Sequence, residues 1–430
     1  MNRDVVIGLL GLGVIGSGVW KAINEKADFL SSRIGRTVRI KRIAEKNPER
    51  QRLLGIDAHL VTADAYSVLD DPEINVVIEL IGGEEPAHTF IRRALSNGKY
   101  VVTANKEVIS KHGVELLELA RSRNVGLSFE ASVGGGIPLI GPFKQDLAAN
   151  EIISLRAIIN GTTNYILTRM AQDGTEFEAA LKQAQELGYA EANPTNDVEG
   201  IDAVYKLAIL ATLAFRIRVR PEDIYREGIT RLHSRDFQYA RELGYAIKLL
   251  AIAKRVGDGV EVRVHPAFIP TSLLLAQVND VFNAVHVEGD LVGSVIFYGR
   301  GAGPSPTSSA IVADIIDAAH NMETGGAGLP QFKLSTSLDL RPMEDVQTRY
   351  YLRIQVVDRP GVLAQIATVF GDNDISMASV IQKEVYDVAP DAEIVIMTHT
   401  AREGHVQKAL AELRDLPCVK EIHNFTRVEG

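Results

Sequence analysis

Short apolar runs alternate with amphipathic stretches through the first third of the chain. Runs of strand character lie at 5–10, 38–44, 58–61, 76–81, 100–103 and 126–129, with helical periodicity between them at 15–30, 87–96 and 114–123. Uninterrupted apolar runs joined by helical crossovers predict a parallel sheet covered on both faces, an α/β Rossmann-type domain over 1–135. After Gly134-Gly135-Gly136 the pattern changes. Helices dominate 164–243, and β-rich runs follow at 245–255, 260–268, 283–288 and 291–298, the last two separated by a Gly289-Asp290 turn. This predicts an α+β unit over 136–320. A polar connector, 321–348, leads to 349–430, whose order of strand, helix, strand, strand, helix, strand is the ferredoxin-like βαββαβ arrangement.

Composition narrows the function classes. Of the 430 residues, 46% are hydrophobic and 23% charged, enough to bury a large core and to exclude wholesale disorder. The net charge of −9 and the lack of a basic cluster argue against nucleic acid as a partner. A single cysteine, Cys418, forms neither an intrachain disulfide nor a cysteine zinc cage, which fits a reducing compartment. The first residues lack a signal-peptide pattern, and no apolar stretch has membrane-spanning length. A soluble, cytoplasmic protein without a membrane partner is expected.

Gly11-Leu12-Gly13-Val14-Ile15-Gly16 follows the first strand and opens a helix. Three glycines at this spacing give a tight turn, backbone access for a pyrophosphate and close helix–sheet packing, and the helix N-terminus favours the phosphates. The ribose partner belongs at the end of the second strand, where Glu45 stands, later than the usual spacing of about 20 residues. Its carboxylate favours NAD. Arg42, Lys46 and Arg50 are nearby cations able to hold a 2′-phosphate or simply to face solvent, so NAD and NADP both remain open.

The sharpest chemical pattern is Glu199, Asp202 and Lys206, expected on one face of a helix at i, i+3 and i+7. The apolar stretch 207–215 that follows predicts burial, where a lysine is costly unless paired or put to use. Two carboxylates would keep it protonated, as a proton donor to a carbonyl oxygen must be. Gly188 to Pro194, including Glu191, and Asn160-Gly161-Thr162-Thr163-Asn164 offer further polar groups, although helix-end turns alone would account for both. Lys106 follows a strand of the parallel sheet, on the side where ligands lie, and is expected in a loop. The histidine spacings do not suggest zinc.

Taken together, the fingerprint, Thr103-Ala104-Asn105-Lys106, Glu130 through Pro138, Asn160 through Tyr165, and Gly188 through Lys206 resemble homoserine dehydrogenase in its single-function form with an appended ACT domain. The resemblance covers essentially the whole chain. It implies reversible reduction of L-aspartate 4-semialdehyde to L-homoserine with NAD(P)H, toward threonine, isoleucine and methionine. It assigns proton donation to Lys206, substrate binding to Glu191 and Asp202, and a place at nicotinamide and substrate to Lys106. Gly11, Leu12, Gly13, Val14, Gly16, Glu45, Gly188 and Gly303 fall at dinucleotide positions. The turn after Glu130 resembles a sodium site built mainly from the carbonyls of Glu130, Val133, Gly135 and Ile137, hard oxygen donors suited to such a cation.

The tail resembles an ACT domain through Asp358-Arg359-Pro360-Gly361, with Asn373 in a later loop. The resemblance implies threonine as effector, at a helix N-terminus able to hold a carboxylate. Removal of the tail after about Leu340 is expected to leave activity and abolish that response. A homodimer or homotetramer is the expected assembly. Two alternatives compete with this reading. An aldehyde dehydrogenase with a cysteine nucleophile needs a thiol in the crevice, whereas Cys418 is in the last unit. A nucleotide- and amino-acid-sensing protein without turnover would have no use for Lys206.

Overall fold

The computed structural model describes residues 4–324, 334, 337–383 and 391–430; part of the expected connector, 325–333 and 335–336, lies outside them. The chain forms two compact units, each assembled from separate segments. The first comprises Met1–Ile153, Tyr205–Glu222 and Asn283–Thr336, the second Ser154–Val204, Asp223–Phe282 and Ser337–Gly430.

The first unit holds a six-stranded sheet of β1 (Val5–Leu10), β2 (Val38–Ala44), β3 (Val61–Thr62), β4 (Val76–Glu79), β5 (Tyr100–Thr103) and β6 (Leu127–Ser128), in the order β3-β2-β1-β4-β5-β6. Every pairing is parallel. All six positions of β1 are buried, as a strand covered on both faces requires. The order reverses between β1 and β4, which leaves a crevice at their carboxyl ends, the usual seat of a ligand in such sheets.

Three local expectations change. The run 58–61 is a 3-10 turn, Ala58–Leu60, because the Asp57 carboxylate accepts the His59 N–H and starts a turn; only Val61–Thr62 joins the sheet. The helix expected at 15–30 breaks at Lys26 into Val14–Glu25 and Ala27–Ile34. A long helix, Pro304–Thr324, lies in a stretch where the periodicity suggested none. It packs against Val14–Glu25, so closely that a Cβ on Gly18 would stand 2.7 Å from Ser308 Oγ.

The second unit is built on β7 (Ile152–Ile158), β8 (Tyr225–Arg226), β9 (Tyr245–Val256), β10 (Gly259–Pro270), β11 (Gln347–Val357), β12 (Met377–Lys383), β13 (Asp391–Thr398) and β14 (Val419–Val428). The strand order is β7-β9-β10-β14-β11-β13-β12, with β8 also on β10. Helices Val362–Asp372 and Glu403–Asp415 complete the βαββαβ tail and close its core over Leu352, Ile366 and Leu410. Strand β14 joins β10 at only two positions, Ala267 with Arg427 and Phe268 with Val428.

Buried ion pairs reinforce that join, which counts against a freely removable tail. Asp236, fully buried, takes the Arg353 guanidinium at 2.8 Å and the Tyr351 hydroxyl at 3.1 Å. Arg353 also reaches Glu393 at 3.0 Å, and Arg427 reaches Glu227 at 2.9 Å. Cutting the chain near Leu340 would strand Asp236 without Arg353 in the interior and leave Arg263 with Glu261 in place of the Glu261–Glu429 pair, a costly arrangement.

Candidate active site

At the carboxyl end of β1, Gly11 has φ +96°, a conformation that strains any other residue, and a Cβ there would meet Leu80 O at 2.8 Å. A Cβ on Gly16 would overlap Gly11 O at 2.1 Å, so helix Val14–Glu25 lies against the turn. Gly13 differs: the nearest atom to its added Cβ is Arg50 Nη1 at 3.8 Å, and no side chain caps the helix. A Cβ at Gly13 would occupy this open cradle before uncapped N–H groups, the arrangement a dinucleotide phosphate needs. Glu45 Oε2 accepts the Leu12 N–H at 2.7 Å and lies 3.3 Å from Arg50 Nη1. Burial works against its charged form, but the Asn47 and Leu12 N–H groups and Arg50 outweigh it and hold the carboxyl below its usual range.

The Thr103–Lys106 segment has a structural origin that the strand pattern hid. Glu79, the last residue of β4, is fully buried and accepts the Thr103 hydroxyl at 2.7 Å. Burial pushes its carboxyl up. Thr103 Oγ1 accepts the Asn105 N–H, and the Asn105 side chain caps the next helix through the Val108 N–H at 3.1 Å. Lys106 is therefore the first residue of helix Lys106–Ser122 rather than a loop residue. Its backbone is set by a relay that begins at Glu79.

The glycine turn after Glu130 is held from two sides. The Glu130 carboxylate accepts the N–H groups of Leu139, Ile140 and Gly141 at 2.6–2.8 Å, and its own N–H donates to Asp314 at 2.9 Å. Gly134 and Gly135 have φ +73° and +56°, and a Cβ on Gly135 would lie 2.6 Å from Gly301 O. Gly303, with φ +120°, immediately precedes helix Pro304–Thr324. Val133 and Ile137 are buried in this turn.

In the second unit Asn160 is the organising residue. Its Oδ1 caps helix Gly161–Asp173 through the Thr163 N–H, and its Nδ2 donates to Asp197 at 2.7 Å and Asp202 at 2.8 Å. Thr162 Oγ1 donates to Tyr189 O, tying this helix start to the turn at Gly188, where φ is +75°. Glu191 follows that turn with an exposed side chain. Asn164 donates to the carbonyls of Val278, Asp280 and Phe282, and beside it buried Lys248 donates to Val278 O and Asn279. Burial pushes Lys248 down to about 8. Sequence spacing gave no signal for Lys248.

Helix Ile201–Phe215 carries Asp202 and Lys206 one turn apart, only 4% and 9% exposed. Glu199 is not on that helix. It ends the short helix Thr195–Val198, and Gly200 at φ +75° breaks the chain before Ile201. Its carboxylate faces Thr230 Oγ1 at 3.4 Å. The expected trio is thus a pair.

Gly361 and Asn373 occupy opposite ends of helix Val362–Asp372, about 18 Å apart at the usual rise. One small molecule cannot touch both within a single chain. The Asn373 amide is spent on Val369 O and Glu412, each at 2.9 Å. Elsewhere His88, His112 and Glu115 lie close enough to share an ion. They stand on two helices, which a search for short histidine spacings cannot detect.

Comparison with known proteins places these features in a family. Residues 11–130 match the description "Homoserine dehydrogenase, NAD binding domain", 138–316 match "Homoserine dehydrogenase", and 350–418 match "ACT domain". A homoserine dehydrogenase from Neisseria gonorrhoeae is 43% identical over 433 residues, covering 100% of this chain and 99% of the relative. The crystal structure of a homoserine dehydrogenase from Thiobacillus denitrificans superposes with a TM-score of 0.93 at 43% identity, covering 99% of this chain and 98% of that one. A hyperthermophilic archaeal homoserine dehydrogenase in complex with NADPH aligns at a TM-score of 0.64 and 28% identity over 74% of this chain and 98% of that one. The chain belongs to the homoserine dehydrogenase family of NAD(P)-dependent oxidoreductases.

Proposed function

We propose that Lys206 is the proton donor in the reversible reduction of L-aspartate 4-semialdehyde to L-homoserine. The bound dinucleotide supplies the hydride to the aldehyde carbon. The Lys206 ammonium gives its proton to the aldehyde oxygen, and in the reverse direction the neutral amine takes it back. Asp202 and Glu191 hold the substrate, with Glu191 toward its ammonium, and Lys106 serves nicotinamide and substrate. The observation that carries this reading is the Asp202–Lys206 pair, nearly enclosed at the start of an otherwise apolar helix, with Asp202 held by Asn160.

The dinucleotide is bound at Gly11, Leu12, Gly13, Val14 and Gly16, with Glu45 at the ribose and Gly188 and Gly303 contributing further contacts. Arg50, beside both Glu45 and the Gly13 cradle, supports use of NADP as well as NAD. The carbonyls of Glu130, Val133, Gly135 and Ile137 bind sodium. The tail senses threonine, and the enzyme works as a cytoplasmic homo-oligomer. Initial rates of homoserine oxidation with NAD or NADP, with and without L-threonine and with sodium or a bulky organic cation, test these assignments together. Absence of homoserine-dependent reduction of either coenzyme would overturn the catalytic assignment.

A further inference from the structure

His88 and His112 stack their rings, with centroids 4.1 Å apart and planes 17° from parallel. They come from two helices of the first unit that pack together, Ala87–Ser96 and Lys106–Ser122. Glu115 follows His112 by about one turn on the second. One ligand atom from each of the three lies within 4.8 Å of the others. None of the three belongs to the residues assigned to dinucleotide, substrate or sodium.

Each ring has one nitrogen committed to a carboxylate. His88 Nδ1 lies 3.2 Å from Glu85 Oε1, and His112 Nε2 lies 2.8 Å from Glu84 Oε1. An ionised carboxylate only accepts, so those nitrogens carry the protons. A neutral ring then has its lone pair on the other nitrogen, His88 Nε2 and His112 Nδ1. His88 Nε2 is buried and has no hydrogen-bond partner. A second proton there would be a buried donor without an acceptor, so burial favours the bare lone pair. A histidine that gives one N–H to a carboxylate and keeps the other nitrogen free is the usual form of a metal ligand.

The surrounding charge also suits a cation. Lys111 Nζ meets Glu84 at 2.6 Å and Glu107 at 2.8 Å, and Arg92 Nε stands 3.8 Å from Glu115. With Glu85, four carboxylates thus face two cations. The Arg92–Glu115 pair is long and more than half exposed on both sides, so releasing Glu115 costs little.

We propose that His88 Nε2, His112 Nδ1 and the Glu115 carboxylate bind one zinc ion, with water as the fourth ligand. Two imidazoles and a carboxylate are donors that zinc accepts. Tetrahedral bonds of about 2.0–2.1 Å put neighbouring donors about 3.3 Å apart, so these atoms close by at most about 1.5 Å. The ring stack tilts open as they do, because each lone pair lies in its ring plane. Through the two rings the ion ties Glu84 and Glu85 to helix Lys106–Ser122. Asn105, which caps that helix, already holds Gly83 O at 2.7 Å. The loop after β4 is then fastened at two points to the helix that begins with Lys106.

The test uses untagged full-length protein stripped with a chelator. Calorimetric titration with zinc chloride should show one site per chain at micromolar affinity or tighter, and cobalt(II) should give the intense visible absorption of a tetrahedral centre. His88→Phe keeps an aromatic ring in the stack but removes a donor. It and Glu115→Gln should each weaken binding by at least about tenfold, since even outer-shell partners of metal ligands are worth about 10–100-fold. Zinc should raise the Tm of the parent and leave that of the variants unchanged, and should slow hydrogen exchange over 82–88 and 108–116. The proposal is overturned if no zinc binds in that range, if both variants bind it as tightly as the parent, or if cobalt(II) gives only the pale octahedral spectrum. Circular dichroism of the metal-free variants checks that they fold; one that does not is replaced by His112→Gln, read in the same way.

Discussion

Lys206 and Asp202 share a helix face with only 9% and 4% of their surfaces exposed, a setting in which a charged group is costly unless it is paired. Lys206→Ala should lower kcat by about 10²–10⁴, the usual contribution of a general acid. Dinucleotide affinity, followed by fluorescence titration, should stay unchanged; near-normal turnover would remove Lys206 from the mechanism. Lys248 makes a different prediction. Its pKa of about 8 lies below the ordinary lysine value of 10.5, so between those values the unfolded chain binds more protons than the folded one. Stability contributed by this residue must therefore rise with pH across that interval. Urea midpoints should show the rise in the parent and its loss in Lys248→Met. Lys206 was legible from sequence because an apolar stretch follows it. Lys248 and Glu79 were not, because each stands alone in a strand-like run and acquires its partners from distant segments.

At the scale of elements, helix starts set much of the site. Asn105 and Asn160 each cap a helix, and Asn160 in addition clamps two aspartates. Loss of a cap costs about 0.5–2 kcal/mol. Asn160→Ala should show at least that loss in urea denaturation and a raised KM for homoserine, with the KM for the dinucleotide unaffected. A change in stability without the KM effect would make Asn160 a cap only. The parallel strands and the βαββαβ tail could be foreseen because their periods are unbroken. Glu199 was misplaced because a single positive-φ glycine, Gly200, interrupts a run that looks helical from composition alone. Helix Pro304–Thr324 has no clear signature in the sequence because its small and hydroxyl residues pack against Val14–Glu25 without forming an apolar stripe.

At the scale of the whole molecule, buried charge ties the ACT tail to its unit. Removing one member of a buried, hydrogen-bonded pair costs about 3–5 kcal/mol. Asp236→Ala, which takes one of two carboxylates from buried Arg353 and leaves it Glu393, should lower stability by up to that amount in urea denaturation; a loss under about 1 kcal/mol would show that the pair adds little. A chain ended near Leu340 should express poorly or aggregate, which makes point variants the better probe of regulation. The scattered origin of the first unit also bears on biosynthesis. Helix Val14–Glu25 leaves the ribosome early, yet the helix that covers it, Pro304–Thr324, lies in the last third of the chain to be translated. At about 5–20 residues per second, the nucleotide-binding region must wait many seconds for its lid of small side chains, and nascent chains halted before that point should recruit holding chaperones.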